Sequence, residues 1–330
     1  MMMEALVYSD VMMCDFTTQA KPEPSADHTI IDVSFCGICG SDMHAWHGHD
    51  ARRVPPLILG HEVVGRALDG PLAGQLVAVN PLMTCGACDF CTSGATHLCP
   101  ERELIGMRVP GGFAQYVSVK THNLTALSDN ISLTNAALAE PLACSVHAMH
   151  LLTNHNQASK SDRMVILGGG AIGLLAALFA QHMGYQDIHI AEVNDKRRAM
   201  LSQVTNASCY NPLETQPDAH SVPLIFDAVG SGRTRAASCE LIRPGGVISH
   251  IGLQDSEAGF DTRYATLQEV TFRGSYCYSE ADFAESLALL EAGHITGDGW
   301  SEVRHLSEGQ KSFMDIHEGH APPKIILETS

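Results

Sequence analysis

Basic residues are scarce in this chain: 20 Lys and Arg stand against 37 Asp and Glu, a formal charge of −17. Binding to a phosphate backbone or an anionic membrane surface requires a basic face, so neither nucleic acid nor membrane is expected as a partner. Long apolar runs are missing as well. No stretch reaches the roughly 18 uninterrupted apolar residues of a membrane span, and residues 1–10 lack the basic and apolar regions of a secretory signal. Cysteine is too sparse for a disulfide scaffold, at 11 in 330 residues. These absences together predict a cytoplasmic protein with free thiols.

A hydrophobic content of 45% is ample for buried cores, and beyond about 250 residues a single core usually divides in two. Up to about residue 150 the chain reads as short strands punctuated by Gly, Pro and Asn, at 29–34, 75–79 and 112–117. From residue 164 apolar strands (164–167, 188–191, 224–227, 247–251, 270–276) alternate with helices (171–183, 195–204, 232–242), the pattern of βαβ units around a parallel sheet. Asn206 is expected to supply a left-handed end to the second of these helices, and Pro244-Gly245-Gly246 a turn. A helix over 280–292 and a strand over 324–327 are too short to stand alone. The expected division is therefore 1–148 with 278–330 packed back onto it, and 149–277 as an α/β domain of Rossmann type, a doubly wound parallel sheet.

Gly168, Gly170 and Gly173 form GxGxxG between the first strand and first helix of that block, and Glu192 follows nineteen residues after Gly173, at the end of the next strand. The first glycine permits the tight turn. The second lets backbone N–H groups, with Ala171 and Ile172 next in the chain, approach a pyrophosphate at the helix N-terminus, and the third lets helix and strand close together. Glu192 can accept from both ribose hydroxyls and would repel a 2′-phosphate, while Val193 and Asn194 offer that phosphate no cation. NAD is expected rather than NADP. Lys196 and Arg197 read as solvated helix residues, with Arg197 the one counted on the cofactor side.

Cys85, Cys88, Cys91 and Cys99 give C-x2-C-x2-C-x7-C, four thiolates that can close a tetrahedral sphere around structural zinc. An iron–sulfur cluster is the rival, but ferredoxin spacing before the last cysteine is three residues rather than seven. The other six, Cys14, Cys36, Cys144, Cys209, Cys239 and Cys277, fit no ligand pattern and read as small buried residues. A zinc deaminase would need H-x-E with P-C-x-x-C, whereas here His61 and Glu62 are adjacent and Thr84 precedes Cys85.

Cys39-Gly40-Ser41-Asp42-Met43-His44, Gly60-His61-Glu62 and Ala139-Glu140-Pro141-Leu142 are ambiguous singly. Taken with the cysteine lobe and the glycine motif in this order, they resemble the zinc-containing medium-chain dehydrogenases over nearly the whole chain. Glu140 stands where the polyol branch of that family has a glutamate and the alcohol branch a cysteine. Residues 74–81, 139–148 and 273–275 look most like its L-idonate 5-dehydrogenases, with galactitol-phosphate and sorbitol dehydrogenases close behind. Residues 65–74 depart from the family in being short and lacking its Gly-Asp-Arg-Val turn.

The resemblance implies a GroES-like, β-rich catalytic domain before the Rossmann domain, with one catalytic and one structural zinc per chain. It assigns the catalytic metal to Cys39 and His61 with one or both of Glu62 and Glu140. The metal then acts as a Lewis acid on a substrate hydroxyl while hydride passes to NAD. Ser41 would take the hydroxyl proton, His44 would be the outlet of the relay, and Asp42 would orient a zinc-bound histidine. The implied reaction is oxidation of a secondary hydroxyl of a polyol, sugar acid or sugar-alcohol phosphate to a ketone, by a homodimer or homotetramer. Alternatives are a dehydrogenase of threonine or butanediol type, and a non-catalytic zinc-binding relative. The latter would be marked by a lost ligand, and none is lost. Arg52 and Arg53 read as a solvated loop pair.

Overall fold

The structure, a computed structural model, describes residues 1–154 and 159–329. The chain forms two compact units, Met1–Glu140 with Ser286–Gly297 and Ser301–Ser330, and Pro141–Glu285 with Asp298–Trp300.

The first unit is built around the strand His28–Gly37, which pairs antiparallel with Glu62–Ala67, Tyr116–Lys120 and the C-terminal strand Lys324–Glu328. Gly37 is the crossing point of this arrangement, opposite Glu62 in one neighbour and Ile326 in the other. Burial of Ile31, Val33, Trp46, Phe113 and Phe313 forms the core beside it. The tail returns to this sheet with more structure than its polar sequence suggests: a further strand, Ser301–His305, lies parallel to Lys324–Glu328, and the helix Gly309–His317 packs Phe313 against Trp46, ring centroids 5.9 Å apart.

The strand expected at 112–117 begins only at Tyr116. Ahead of it the backbone is engaged elsewhere: Gly111, Gly112 and Phe113 donate to the carbonyls of Ile58, Gly60 and Leu59 at 2.8, 2.8 and 3.0 Å. That contact clamps the segment leading into His61. Gly60 adopts φ +91°, and a Cβ there would meet the Phe113 ring at 2.5 Å, so only glycine serves.

The second unit carries an all-parallel six-stranded sheet in the order Ser208–Tyr210, Ile188–Ala191, Met164–Leu167, Val222–Asp227, Ile242–His250, Thr271–Gly274. This 3-2-1-4-5-6 order is that of dinucleotide-binding sheets. Its two central strands, Met164–Leu167 and Val222–Asp227, are buried along their whole length, as expected where helices cover both faces of a parallel sheet. Asn206 is not left-handed. The helix Asp195–Val204 ends instead on Thr205, in extended conformation, whose hydroxyl donates to the Leu201 carbonyl at 2.9 Å. The Pro244-Gly245-Gly246 turn is absorbed into the strand Ile242–His250 as an irregularity, with Gly245 at φ +70°. Among the described residues no helix is long and apolar enough to cross a membrane.

Candidate catalytic and structural metal sites

In the first unit Cys39, His61 and Glu62 converge, each offering a ligand atom within 4.8 Å of the others. Cys39 caps the short helix Gly40–Trp46, and Asp42, in its first turn, ties the group together. One oxygen of the fully buried Asp42 carboxylate accepts from the Cys39 N–H at 3.0 Å. The other lies 3.5 Å from His61 Nδ1. Burial opposes charge on Asp42, but His61 and Arg53 beside it outweigh burial and hold its carboxyl below the usual range. His61 Nδ1 is buried without a well-formed hydrogen bond. Facing Asp42, it leaves Nε2 as the nitrogen for a metal, the carboxylate–imidazole arrangement common around zinc. A thiol, an imidazole and a carboxylate in one buried cluster fit zinc with a position left open.

Glu62 is held from behind by Lys324, a residue the sequence reading passed over. Its ammonium donates to both Glu62 oxygens at 2.7 and 2.8 Å and to the Ile38 carbonyl at 2.9 Å. Burial alone would discharge the lysine, but Glu62, Cys39 and Glu140 outweigh it and raise its pKa. A Cβ on Gly37 would come within 1.8 Å of Glu62 Oε2, so glycine there makes room for the carboxylate. Glu140 is buried in the first turn of the helix Ala139–Thr153. It acts electrostatically on Lys324, but it is not among the three groups that converge.

Ser41 and His44 sit on the same short helix as Asp42. Arg53 is not solvated as expected: it is 3% exposed and donates to the Gly106 carbonyl at 2.9 Å, Asp50 at 2.7 Å and Ser41 Oγ at 3.3 Å. Arg52 alone keeps the surface role, paired with Asp50 at 2.9 Å. Nothing in an Arg-Arg dipeptide distinguishes the two.

The four-cysteine lobe folds as a short helix, Asp89–Thr92, and a 3-10 turn, Thr96–Leu98. Sγ–Sγ separations are 3.9 Å (Cys85–Cys91), 3.5 Å (Cys88–Cys91) and 3.5 Å (Cys85–Cys99). Four sulfurs about 2.3 Å from one zinc would stand about 3.8 Å apart, so the donor set fits. Backbone N–H groups of Ala87 and Cys88 lower the Cys85 thiol to about 6. Cys88 rises to about 11, because burial and the adjacent sulfurs outweigh the Cys91 N–H. Adjacent sulfurs resist ionising together, and a dication resolves that repulsion. Of the six other cysteines, Cys14, Cys36 and Cys239 are buried and the remaining three half-buried.

In the second unit the glycine turn and Glu192 meet. The Glu192 carboxylate, 5% exposed, accepts from the Gly169 N–H at 3.0 Å and the Asn194 N–H at 2.8 Å. Arg197 is drawn in rather than solvated, 3.2 Å from Glu192 Oε2. Gly170 caps the helix Ala171–His182, and a Cβ on Gly173 would strike the Gly168 carbonyl at 1.9 Å.

A dinucleotide-type sheet in one unit and, in the other, two clusters whose donors fit zinc are the marks of a metal-dependent oxidoreductase. Residues 25–129 match the alcohol dehydrogenase GroES-like domain and residues 171–292 the zinc-binding dehydrogenase domain. The chain is 32% identical to L-galactonate-5-dehydrogenase of Escherichia coli (strain K12), covering 84% of each protein. It is 30% identical to sorbitol dehydrogenase of Halalkalibacterium halodurans, covering 98% of this chain and 99% of that one. L-idonate 5-dehydrogenase from Escherichia coli str. K-12 substr. MG1655 shares the fold, with a TM-score of 0.89 at 23% identity over 100% of this chain and 99% of that one. The chain belongs to the zinc-binding dehydrogenases of the alcohol dehydrogenase family. Structures of the same fold hold NADP or NADH.

Proposed function

We propose that this enzyme oxidises a secondary hydroxyl of a polyol, sugar acid or sugar-alcohol phosphate to a ketone, with NAD as hydride acceptor. The observation that carries the reading is the buried convergence of Cys39, His61 and Glu62 beside a hydroxyl, Ser41, that Arg53 fixes. The names of the sorbitol and galactonate dehydrogenases to which it is similar support the substrate class. When bound, zinc supplies a Lewis acid that lowers the pKa of the substrate hydroxyl.

The remaining roles belong to the chain. Arg53 donates into Ser41 Oγ and so orients the hydroxyl that receives the substrate proton, which His44 passes on. Lys324 offsets the Glu62 charge and holds its carboxylate in place; a bound metal would be balanced by Cys39 and by whichever carboxylate, Glu62 turned from the lysine or Glu140, reaches it. Glu192 takes the ribose hydroxyls of NAD, with the pyrophosphate over Gly168, Gly170, Ala171, Ile172 and Gly173. Arg197 stands beside Glu192 on the cofactor side. The family resemblance carries the expectation of a homodimer or homotetramer, and eleven thiols suit a reducing cytoplasm.

The test is a panel of polyols, sugar acids, sugar phosphates, threonine and 2,3-butanediol assayed with NAD and NADP. Turnover confined to polyol or sugar-acid substrates with NAD is the expected result. Turnover only with threonine or butanediol, or none with a zinc-replete enzyme, overturns the substrate class.

A further inference from the structure

Two histidine clusters lie outside the sites described above, and they differ in what surrounds them. In the second unit His147 and His150 both turn Nδ1 to Asp282, at 2.8 and 3.1 Å. Asp282 also accepts from the Ser279 N–H and hydroxyl. That carboxylate is saturated, and the cluster explains itself as a hydrogen-bonded brace.

The other cluster, in the first unit, has no such counterpart. His47 follows the helix Gly40–Trp46, His49 lies two residues on, and His317 ends the helix Gly309–His317. His47 Nε2 and His317 Nδ1 face each other at 3.0 Å across 270 residues of sequence. The ring of His49 stands beside His47, centroids 5.7 Å apart. Among the described residues no carboxylate pairs with any of the three. Burial lowers the His47 pKa, and the neighbouring imidazoles of His317, His49 and His44 lower it further. The facing His47 and His317 nitrogens share one hydrogen bond, which a bound ion would replace.

Two nitrogens bound to one ion at about 2.1 Å, at right angles, lie about 3.0 Å apart. Borderline divalent metals favour neutral imidazole. We propose that His47 and His317 form a peripheral site for a divalent transition-metal ion, with His49 completing a three-imidazole face by side-chain rotation. The site joins two segments that no other metal links. His49 donates its backbone N–H to the His44 carbonyl at 2.9 Å, so an ion here also braces the helix carrying Ser41 and His44 against the C-terminal helix. This inference does not depend on the substrate proposed above.

Ni2+ is a suitable probe, since it prefers imidazole and is distinguishable from resident zinc. The zinc-loaded enzyme is titrated with Ni2+ by calorimetry, and both metals are counted after dialysis. We expect about one Ni2+ per chain with no loss of zinc, an affinity at least about tenfold weaker in His317→Ala and in His47→Gln, and no change in His150→Ala. His317 is exposed, so its replacement leaves the fold intact. Absence of uptake, uptake matched by zinc release, an affinity in either His317→Ala or His47→Gln unchanged from that of the unmodified enzyme, or loss of uptake in His150→Ala would each overturn the site.

Discussion

The two candidate zinc sites of the first unit assemble their donors from opposite starting points. The cysteine lobe takes all four donors from residues 85–99, and between Cys85 and Pro100 only His97 and Cys99 are buried. Phe90 and Leu98 face solvent at 45% and 43% exposure. Such a loop has almost no apolar core, so its order must come from the ion. The Cys39 site is the reverse. Its groups come from the distant positions 39, 42, 61, 62 and 324, and all but Cys39 are nearly fully buried. Packing of the sheet and helix places them. On the proposed ligand sets, one site would be organised by its metal and the other would organise it.

The largest effect expected from this contrast is a separation of turnover from stability. Cys39→Ala should lose at least about 1,000-fold in kcat, the equivalent of about 4 kcal/mol of transition-state stabilisation, while its unfolding midpoint moves little. Cys88→Ala should lose about 3 kcal/mol of stability, the magnitude typical of a broken metal clip. It should keep its catalytic zinc. Metal analysis, thermal unfolding and single-substrate kinetics on both variants check this. If Cys39→Ala turns over normally with its metal in place, the assignment of the site fails.

Lys324 sharpens the comparison, since it adds a buried ion pair to the Cys39 site. Lys324→Met strands the Glu62 carboxylate in a site 1% exposed. Breaking a buried pair by removing one partner costs about 3–5 kcal/mol. The loss should be full in zinc-free protein and smaller with zinc, because the freed carboxylate can turn to the cation. Equal destabilisation with and without zinc would show that Glu62 stays outside the metal's coordination.

Legibility in the sequence follows the same division. The cysteine lobe and the glycine turn are local, so spacing alone specifies them: each donor's neighbours in space are its neighbours in the chain. The parallel sheet was legible because its strands are apolar runs between helices of regular length. The catalytic group was legible only as a combination of segments, since Cys39 and His61 are common residues with no informative spacing. Lys324 and Arg53 were not legible. The lysine's partner is 262 residues away, and a lysine opening an apolar strand carries no signal. Arg53 is buried by the loop around Gly106, which pattern does not reveal. Asn206 was misread because the Thr205 hydroxyl closes the helix, making a left-handed residue unnecessary.

The cofactor end offers a smaller test. Replacing Glu192 with Ser and Val193 with Arg removes a repulsive carboxylate and adds a cation, and it also releases Arg197 from its 3.2 Å contact. Preference should move toward NADP by tens-fold, about 2 kcal/mol, in the ratio of kcat/KM values. An unmodified enzyme that already prefers NADP would refute the role given to Glu192.

The smallest effect comes from the Asp282 cluster of the second unit, which is held by hydrogen bonds and charge. The Asp282 hydrogen bond raises the His150 pKa against the opposing effect of burial. Burial likewise opposes charge on Asp282, but its bonds from His147, His150 and Ser279 prevail and keep its carboxyl well below the usual carboxylate range. The two shifts act at opposite ends of the pH scale. Because the His150 pKa is raised on folding, its contribution is complete below the unfolded value of about 6.5 and is lost as pH rises through the folded value. The Asp282 contribution is complete above about 3.9 and fades only in acid. Between about pH 5 and 6 both are present, and Asp282→Asn should cost about 1 kcal/mol there, since the amide keeps the shape but not the charge. Above neutrality the gap between wild type and variant should narrow as His150 discharges. Urea unfolding of both proteins from pH 5 to 9 measures it, and a gap that widened toward pH 9 would mean that the brace does not depend on the imidazolium.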